Sequence, residues 1–179
     1  PGVMAADRAT DRGSHLSQLS DETVEKLNGV LPDVWSHGNP VDIIGDAPPE
    51  RYSEAIDICL ADPGVDGALV ILTPQAMTAP TLVAKELIKS SEKSSKPILT
   101  SWMGGTQVEE ARQVLKDARI ADFSMLEDAV DAFSFIGRYR RNQKLLLQTP
   151  ARLTGGQETA DRDGARLIIE GVLTQRRNV

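Results

Sequence analysis

Apolar and polar positions alternate in two rhythms along the chain, and residues 68–72, ALVIL, stand out as an unbroken apolar run. Asp62-Pro63-Gly64 leads into it and Thr73-Pro74 ends it. Five residues are too few for a buried helix, so the run predicts a strand covered on both faces, in the middle of a parallel sheet. Residues 98–102 predict a second buried strand that stops at Met103-Gly104-Gly105, and residues 121–124 a short last one. Between them the spacing becomes helical. Tyr52, Ala55, Ile56, Cys59 and Leu60 form an inward stripe after Pro48-Pro49. Leu82, Val83, Leu87 and Ile88 mark a further helix, and Val108, Ala111, Val114 and Leu115 another. A long one starts at Glu127 and carries Ala129, Val130, Phe133, Phe135 and Ile136 toward Leu147. Strand and helix alternating in this order predict an α/β fold with right-handed crossovers and helices on both faces of a parallel sheet.

The first half is less regular. Residues 1–10, PGVMAADRAT, read as a helix starting at or just before Pro1 and stopped by Gly13. Residues 14–19 alternate weakly and are expected as a short strand burying Leu16 and Leu19. Ser20, with Asp21 and Glu22 behind it, caps a helix that runs through Leu31 and ends at Pro32. Residues 35–47, WSHGNPVDIIGDA, combine turn formers with isoleucines, the composition of an ordered loop. Residues 149–157 break the composition as a Pro/Gly/Thr linker. Beyond them residues 161–175 show one helical pattern, Ala165, Ile168, Ile169 and Val172, expected as the leading helix of a further domain.

Charge and composition narrow the function. The 179 residues carry a net charge of −6, which offers nucleic acid no general attraction, and the basic cluster at residues 138–144 is local. Apolar runs fall short of the ~20 residues of a membrane span, and no signal peptide is recognisable. The single cysteine, Cys59, permits no internal disulfide, so cytoplasm is the expected compartment. His15, His37 and one cysteine make no zinc site, and no metal is expected.

No Ser-His-Asp order, P-loop or GxGxxG occurs. Candidate chemistry follows instead from position, because ligands of parallel sheets collect at the carboxyl ends of the strands. Three loops are expected to converge there: Pro1-Gly2-Val3, residues 39–46 and residues 73–80. A helix N-terminus beside glycine presents free N–H groups and positive dipole to phosphate or carboxylate; alternatively, Pro1-Gly2 only begins a packed helix. Thr73, Pro74, Gln75 and Thr78 could turn a hydroxyl, an N–H and an amide toward a small acid, or form an ordinary turn. Gly104 and Gly105 pose the same pair of readings. Asn39 and Asp42 suit Asx turns of their own loop as well as ligand contacts. His37 is the remaining proton carrier of that loop. Arg138, Arg140 and Arg141 read as a wet helix face or an interdomain contact.

Taken together, PGVMAAD, NPVDIIGDA followed by PPERY, DPGVDGALVILTPQ, KPILTSWMGG and YRRNQKLLLQTP resemble the ligase domain of NDP-forming acyl-CoA synthetases, the acetate–CoA ligase relatives of succinyl-CoA synthetase. The resemblance covers residues 1 to about 150 in family order. It implies a three-layer, flavodoxin-like parallel sheet, with residues 151–179 as linker and helix leading to an ATP-grasp domain. Such enzymes convert acyl-CoA, ADP and phosphate to acid, CoA and ATP, or the reverse, through a phosphohistidine. The resemblance implies that this histidine lies in an SHTG-type segment of another domain; neither His15 nor His37 fits it. It also implies that CoA, ATP/ADP and Mg are held by the parent, so no cofactor belongs to this fragment. The expected partners are the CoA-binding, phosphohistidine and ATP-grasp domains and a small carboxylic acid or phosphate. The resemblance also implies a strand and a glycine run before PGV, so the family's first strand is expected to be missing here. The matching site positions are the helix N-terminus at Pro1, Gly2 and Val3 and the loop at residues 73–78. The fragment alone is expected to be inactive. The same modules occur fused to GNAT domains, which leaves a ligand-sensing regulatory domain of a lysine acetyltransferase as the alternative.

Overall fold

The computed structural model describes residues 1–148 and 161–174; the linker expected at residues 149–157 lies outside the described residues. The chain divides into two units, Pro1–Asn142 and Gln143–Val179. In order the elements are α1 (Gly2–Asp11), α2 (Asp21–Val30), α3 (Pro49–Ala61), β1 (Ala68–Leu72), α4 (Pro80–Lys93), β2 (Ile98–Trp102), a 3₁₀ turn (Gly105–Val108) running into α5 (Glu109–Asp117), β3 (Ala121–Phe123), α6 (Leu126–Leu146) and α7 (Arg162–Thr174).

Local chemistry accounts for the boundaries. Ser20 caps α2, its Oγ accepting the Thr23 N–H at 3.3 Å, with Asp21 and Glu22 in the first turn facing the positive end of the helix dipole. Pro49 and Pro80 open α3 and α4, where a missing N–H costs nothing. Gly13, at φ 70°, turns the chain away after α1.

The three strands are parallel in the order β1-β2-β3, with Ala68 opposite Ile98, Leu72 opposite Trp102, and Leu99 opposite Ala121. Successive side chains point to opposite faces, which makes three layers. On one face Val70, Leu72, Ile98 and Trp102 pack with Ile56 and Leu60 of α3, Val83 and Leu87 of α4, and Ala111 and Leu115 of α5. On the other, Leu69 and Ile71 lie against Ala5 of α1 and Leu126 and Val130 of α6. Leu72, Leu87 and Leu115 are fully buried, each stabilising the fold by roughly 1.5–3 kcal/mol. A satellite cluster of Leu27, Leu31, Trp35 and Ala55 fixes α2 on α3.

Three expectations are corrected. β1 pairs only with β2 and so stands at the edge of the described sheet; all five residues of β2 are buried, making β2 the central strand. Residues 14–19 join no ladder: the Ser14 and Ser134 hydroxyls meet at 2.8 Å, and the Ser17 carbonyl accepts from the Asn39 side chain at 3.0 Å instead of from a strand. Phe135 and Leu82, expected inward, are 66% and 52% exposed. In the second unit, α7 matches its periodic pattern and exposes Leu167, Ile168 and Ile169.

Candidate anion-binding rim

Because the strands are parallel, Leu72, Trp102 and Phe123 all end at one rim. Residues 73–79 and 103–104 continue from β1 and β2 there, the Met103 N–H extending the ladder to the Leu72 carbonyl at 2.9 Å. α6 leaves the same rim. α1 runs beside it in the same direction, since Ala5 clusters with Leu126 and Val130 whereas Ser14, past its other end, meets Ser134. The N-terminus of α1 therefore lies at the strand ends as well.

Glycines knit the rim together. A β-carbon on Gly2 would stand 3.2 Å from Pro40 Cβ, one on Gly45 would stand 2.3 Å from Gln75 Nε2, and one on Gly104 would stand 2.6 Å from Pro74 Cγ. At each position a β-carbon would stand closer than ordinary van der Waals contact, which glycine avoids. In sequence they join Pro1-Gly2-Val3 to the 39–46 loop, that loop to Gln75, and Pro74 to the Gly104-Gly105 turn. The three loops thus adjoin one another in pairs, and Gly104 adjoins Pro74.

The rim's donors are unevenly satisfied. Pro1 provides no side-chain cap for α1, no acid occupies its first turn, and its first backbone bond runs from the Ala5 N–H to the Pro1 carbonyl at 3.0 Å. The N–H groups of Gly2, Val3 and Met4 accordingly face off the helix end. α4 likewise has neither a side-chain cap nor a first-turn acid. In α3, α5 and α6, by contrast, Glu50, the Glu109–Glu110 pair and the Glu127–Asp128 pair occupy the first turn. Among the described α-helices, α1 and α4 have uncompensated positive ends, and α4 follows directly on the residues after β1. Within those residues the Gln75 N–H is already used, donating to Thr78 Oγ1 at 2.9 Å, while the Thr78 N–H donates to the Gln75 carbonyl at 3.0 Å. Thr73, Gln75, Gly104 and Gly105 are exposed; Pro74 and Thr78 are half-buried.

The 39–46 loop is held largely by its own polar groups. Ser36 Oγ donates toward the Gly38 and Pro40 carbonyls and accepts the Asp42 N–H at 2.9 Å. Asp42 Oδ1 accepts the Ile44 N–H at 2.9 Å, an Asx turn with Ile44 at φ 69°. Asn39 reaches outward to Ser17. Arg51 donates to the Ile43 carbonyl and pairs with Asp46 at 2.9 Å. His37 sits between Asn28 Oδ1 and the Asp33 carbonyl, its ring tilted against Trp35. Arg138, Arg140 and Arg141 are exposed on α6.

Sequence reasoning missed Arg8, Arg12 and Asp131. Both guanidinium groups fork onto the Asp131 carboxylate, with donor distances from 2.6 to 3.0 Å, and Arg12, then Arg8, hold that carboxyl below the usual carboxylate range. The four-residue spacing of the arginines on one helix was the available signal. Their partner, 123 residues past Arg8, was not. Among the described residues no three His, Cys, Asp or Glu side chains come together as a metal-binding set.

Residues 1–146 match the family model described as the Ligase-CoA domain. The chain belongs to that family. Of its relatives, the ADP-forming acetate–CoA ligase I of Archaeoglobus fulgidus is 38% identical over 142 residues, 79% of this chain and 20% of that protein. The ADP-forming acetate–CoA ligase of Methanocaldococcus jannaschii is 44% identical over 142 residues, 77% of this chain and 20% of that protein. Among solved structures, the dinucleotide forming acetyl-coenzyme A synthetase 1 of Candidatus Korarchaeum cryptofilum in complex with phosphate and ADP superposes with a TM-score of 0.76 at 31% identity, over 83% of this chain and 33% of that one. This Ligase-CoA domain thus spans a fifth to a third of the relatives it matches. Its α/β architecture, here with a three-stranded parallel sheet, matches that of the solved neighbours, and among the described residues no helix is long and apolar enough to cross a membrane.

Proposed function

We propose that this Ligase-CoA domain serves an NDP-forming acyl-CoA synthetase as the surface that receives phosphoryl and acyl-phosphate groups. One observation carries the reading: the N-termini of α1 and α4 lack both a side-chain cap and a first-turn acid, unlike those of α3, α5 and α6. Fixed N–H dipoles aimed at developing negative charge need no reorganisation as a phosphoryl group moves, which is how such a surface favours transfer. The Gly2 and Val3 amides would take phosphoryl oxygens. Thr73 and the Gly104-Gly105 turn would face the acid or acyl phosphate, and the Gln75 carboxamide, against Gly45, would orient it.

In the parent reaction, phosphate displaces CoA from the acyl carbon; the phosphoryl group passes to a histidine nitrogen, releasing the acid, and then to ADP, forming ATP. The histidine, the nucleotide site and the CoA site belong to other domains or subunits. Among the described residues no three His, Cys, Asp or Glu side chains gather to hold a magnesium ion, so the ion that accompanies the nucleotide would be held by those other domains. This domain supplies dipoles and shape. The chain alone, given acetyl-CoA, ADP and phosphate, is expected to form no ATP; nucleotide turnover by the isolated chain would overturn the assignment.

A further inference from the structure

From the clamp between α1 and α6 we infer that Asp131 is a positioning residue: by holding Arg8 and Arg12 together it fixes the direction in which α1 presents its N-terminal N–H groups at the rim. The inference rests on the functional reading above for its consequence, not for its geometry.

α1 lies on the sheet through Ala5, which is buried, and Ala9, which is partly so, while Val3 and Met4 are 70% and 60% exposed. Alanines make shallow ridges, so this packing sets the distance of α1 from β1 but resists tilting and rolling weakly. Direction must come from elsewhere. At the N-terminal end the close approach of Gly2 to Pro40 limits movement toward the 39–46 loop. At the other end Arg8 and Arg12, one turn apart, each place Nε on Asp131 Oδ1 and Nη2 on Oδ2, at 3.0 and 2.9 Å for Arg8 and 2.8 and 2.6 Å for Arg12. Two planar forks on one carboxylate are directional in a way that an alanine contact is not.

The lever is long enough to matter. A helix rises about 1.5 Å per residue, so Pro1 stands roughly 10 Å from Arg8, and a tilt of about 10° at the clamp moves it by about 2 Å. Misplacement by ~1 Å can cost a reacting site ~100-fold.

The test uses amide residual dipolar couplings of Gly2–Asp11 against those of the strands, together with titration of inorganic phosphate, on the wild-type chain and on Asp131→Asn, Asp131→Glu and Arg12→Lys. Asp131→Asn is expected to re-orient α1 while leaving the couplings of β1, β2 and β3 in place, and to weaken phosphate about tenfold; Asp131→Glu is expected to recover most of both. Arg12→Lys, which loses one fork and keeps the charge, gives a smaller change of the same kind and serves if Asp131→Asn does not fold. Unchanged α1 couplings in the variants overturn the inference, as does a re-oriented α1 with undiminished phosphate affinity. Should the wild-type chain itself fail to bind phosphate, the functional reading falls, and the couplings alone decide the clamp.

Discussion

Gln75 fills the space that Gly45 leaves open: a β-carbon there would lie 2.3 Å from Gln75 Nε2 and 2.9 Å from Cδ. The obstacle is the end of a flexible side chain, so it can move at little cost. Gly45→Ala is expected to shift the Gln75 side-chain NH₂ resonances strongly while changing the urea-unfolding free energy by less than ~1 kcal/mol. Large destabilisation with an unmoved Gln75 would mean that the loop, not the side chain, yields.

Gly104 is the harder case. Its φ of 152° is open to glycine and rare for other residues, and its missing side chain faces the ring of Pro74 at 2.6 Å and Val108 at 3.2 Å. Gly105, at φ 55°, has nothing within 4 Å. Gly105→Ala is expected to cost about 1–2 kcal/mol from backbone strain alone. Gly104→Ala adds overpacking, by about 1–3 kcal/mol more. Equal unfolding midpoints for the two variants would contradict the assigned contact.

Asp62 gives the fold an acid limit. Its carboxylate, 3% exposed, accepts the Ser20 and Gly64 N–H groups at 2.8 Å, and with Thr23 these bonds hold it well below the usual carboxylate range. A depressed folded-state value stabilises the fold above the unfolded-state pKa, about 3.9, and that contribution is lost as pH falls from there toward the folded value. Asp131 shifts in the same direction. The urea midpoint is therefore expected to fall below about pH 4, and Asp62→Asn to be less stable at pH 7 with a shallower acid decline. A variant with an unaltered acid profile would remove Asp62 from the account.

Cys59 is half-buried on α3, and burial pushes its thiol up to about 11. The thiolate is the reactive form. A disulfide reagent at pH 8 is expected to label the folded chain at least ~10-fold more slowly than the urea-unfolded chain; equal rates would place Cys59 on the surface.

Much of this fold was legible because its signals are local. The run at 68–72 bounded by Pro63-Gly64 and Pro74 is β1, the Ser20 cap sits where its spacing placed it, and Pro49 and Pro80 open α3 and α4. What failed depended on neighbours. β1 is apolar because α3 and α4 cover one face and α1 and α6 the other, and two covered faces do not require two strand partners. Leu16 and Leu19 alternate as a strand would, but the polar groups of residues 14–19 are taken by Ser134 and Asn39. The grouping of the rim was legible from the position rule for parallel sheets. Its internal bonds were not: that Thr78 takes the Gln75 N–H, and that Asp131 joins two arginines more than a hundred residues away, follow from tertiary contact alone.

The proposed function requires one anion to meet the α1 N-terminus and the residues after β1 at once. Inorganic phosphate titrated into ¹⁵N-labelled chain measures this most directly. Saturable shifts concentrated at Gly2, Val3, Thr73, Gln75 and Gly105, and weakened by rising salt, are the result expected. Shifts that are absent, or confined to surfaces away from these residues, would contradict it.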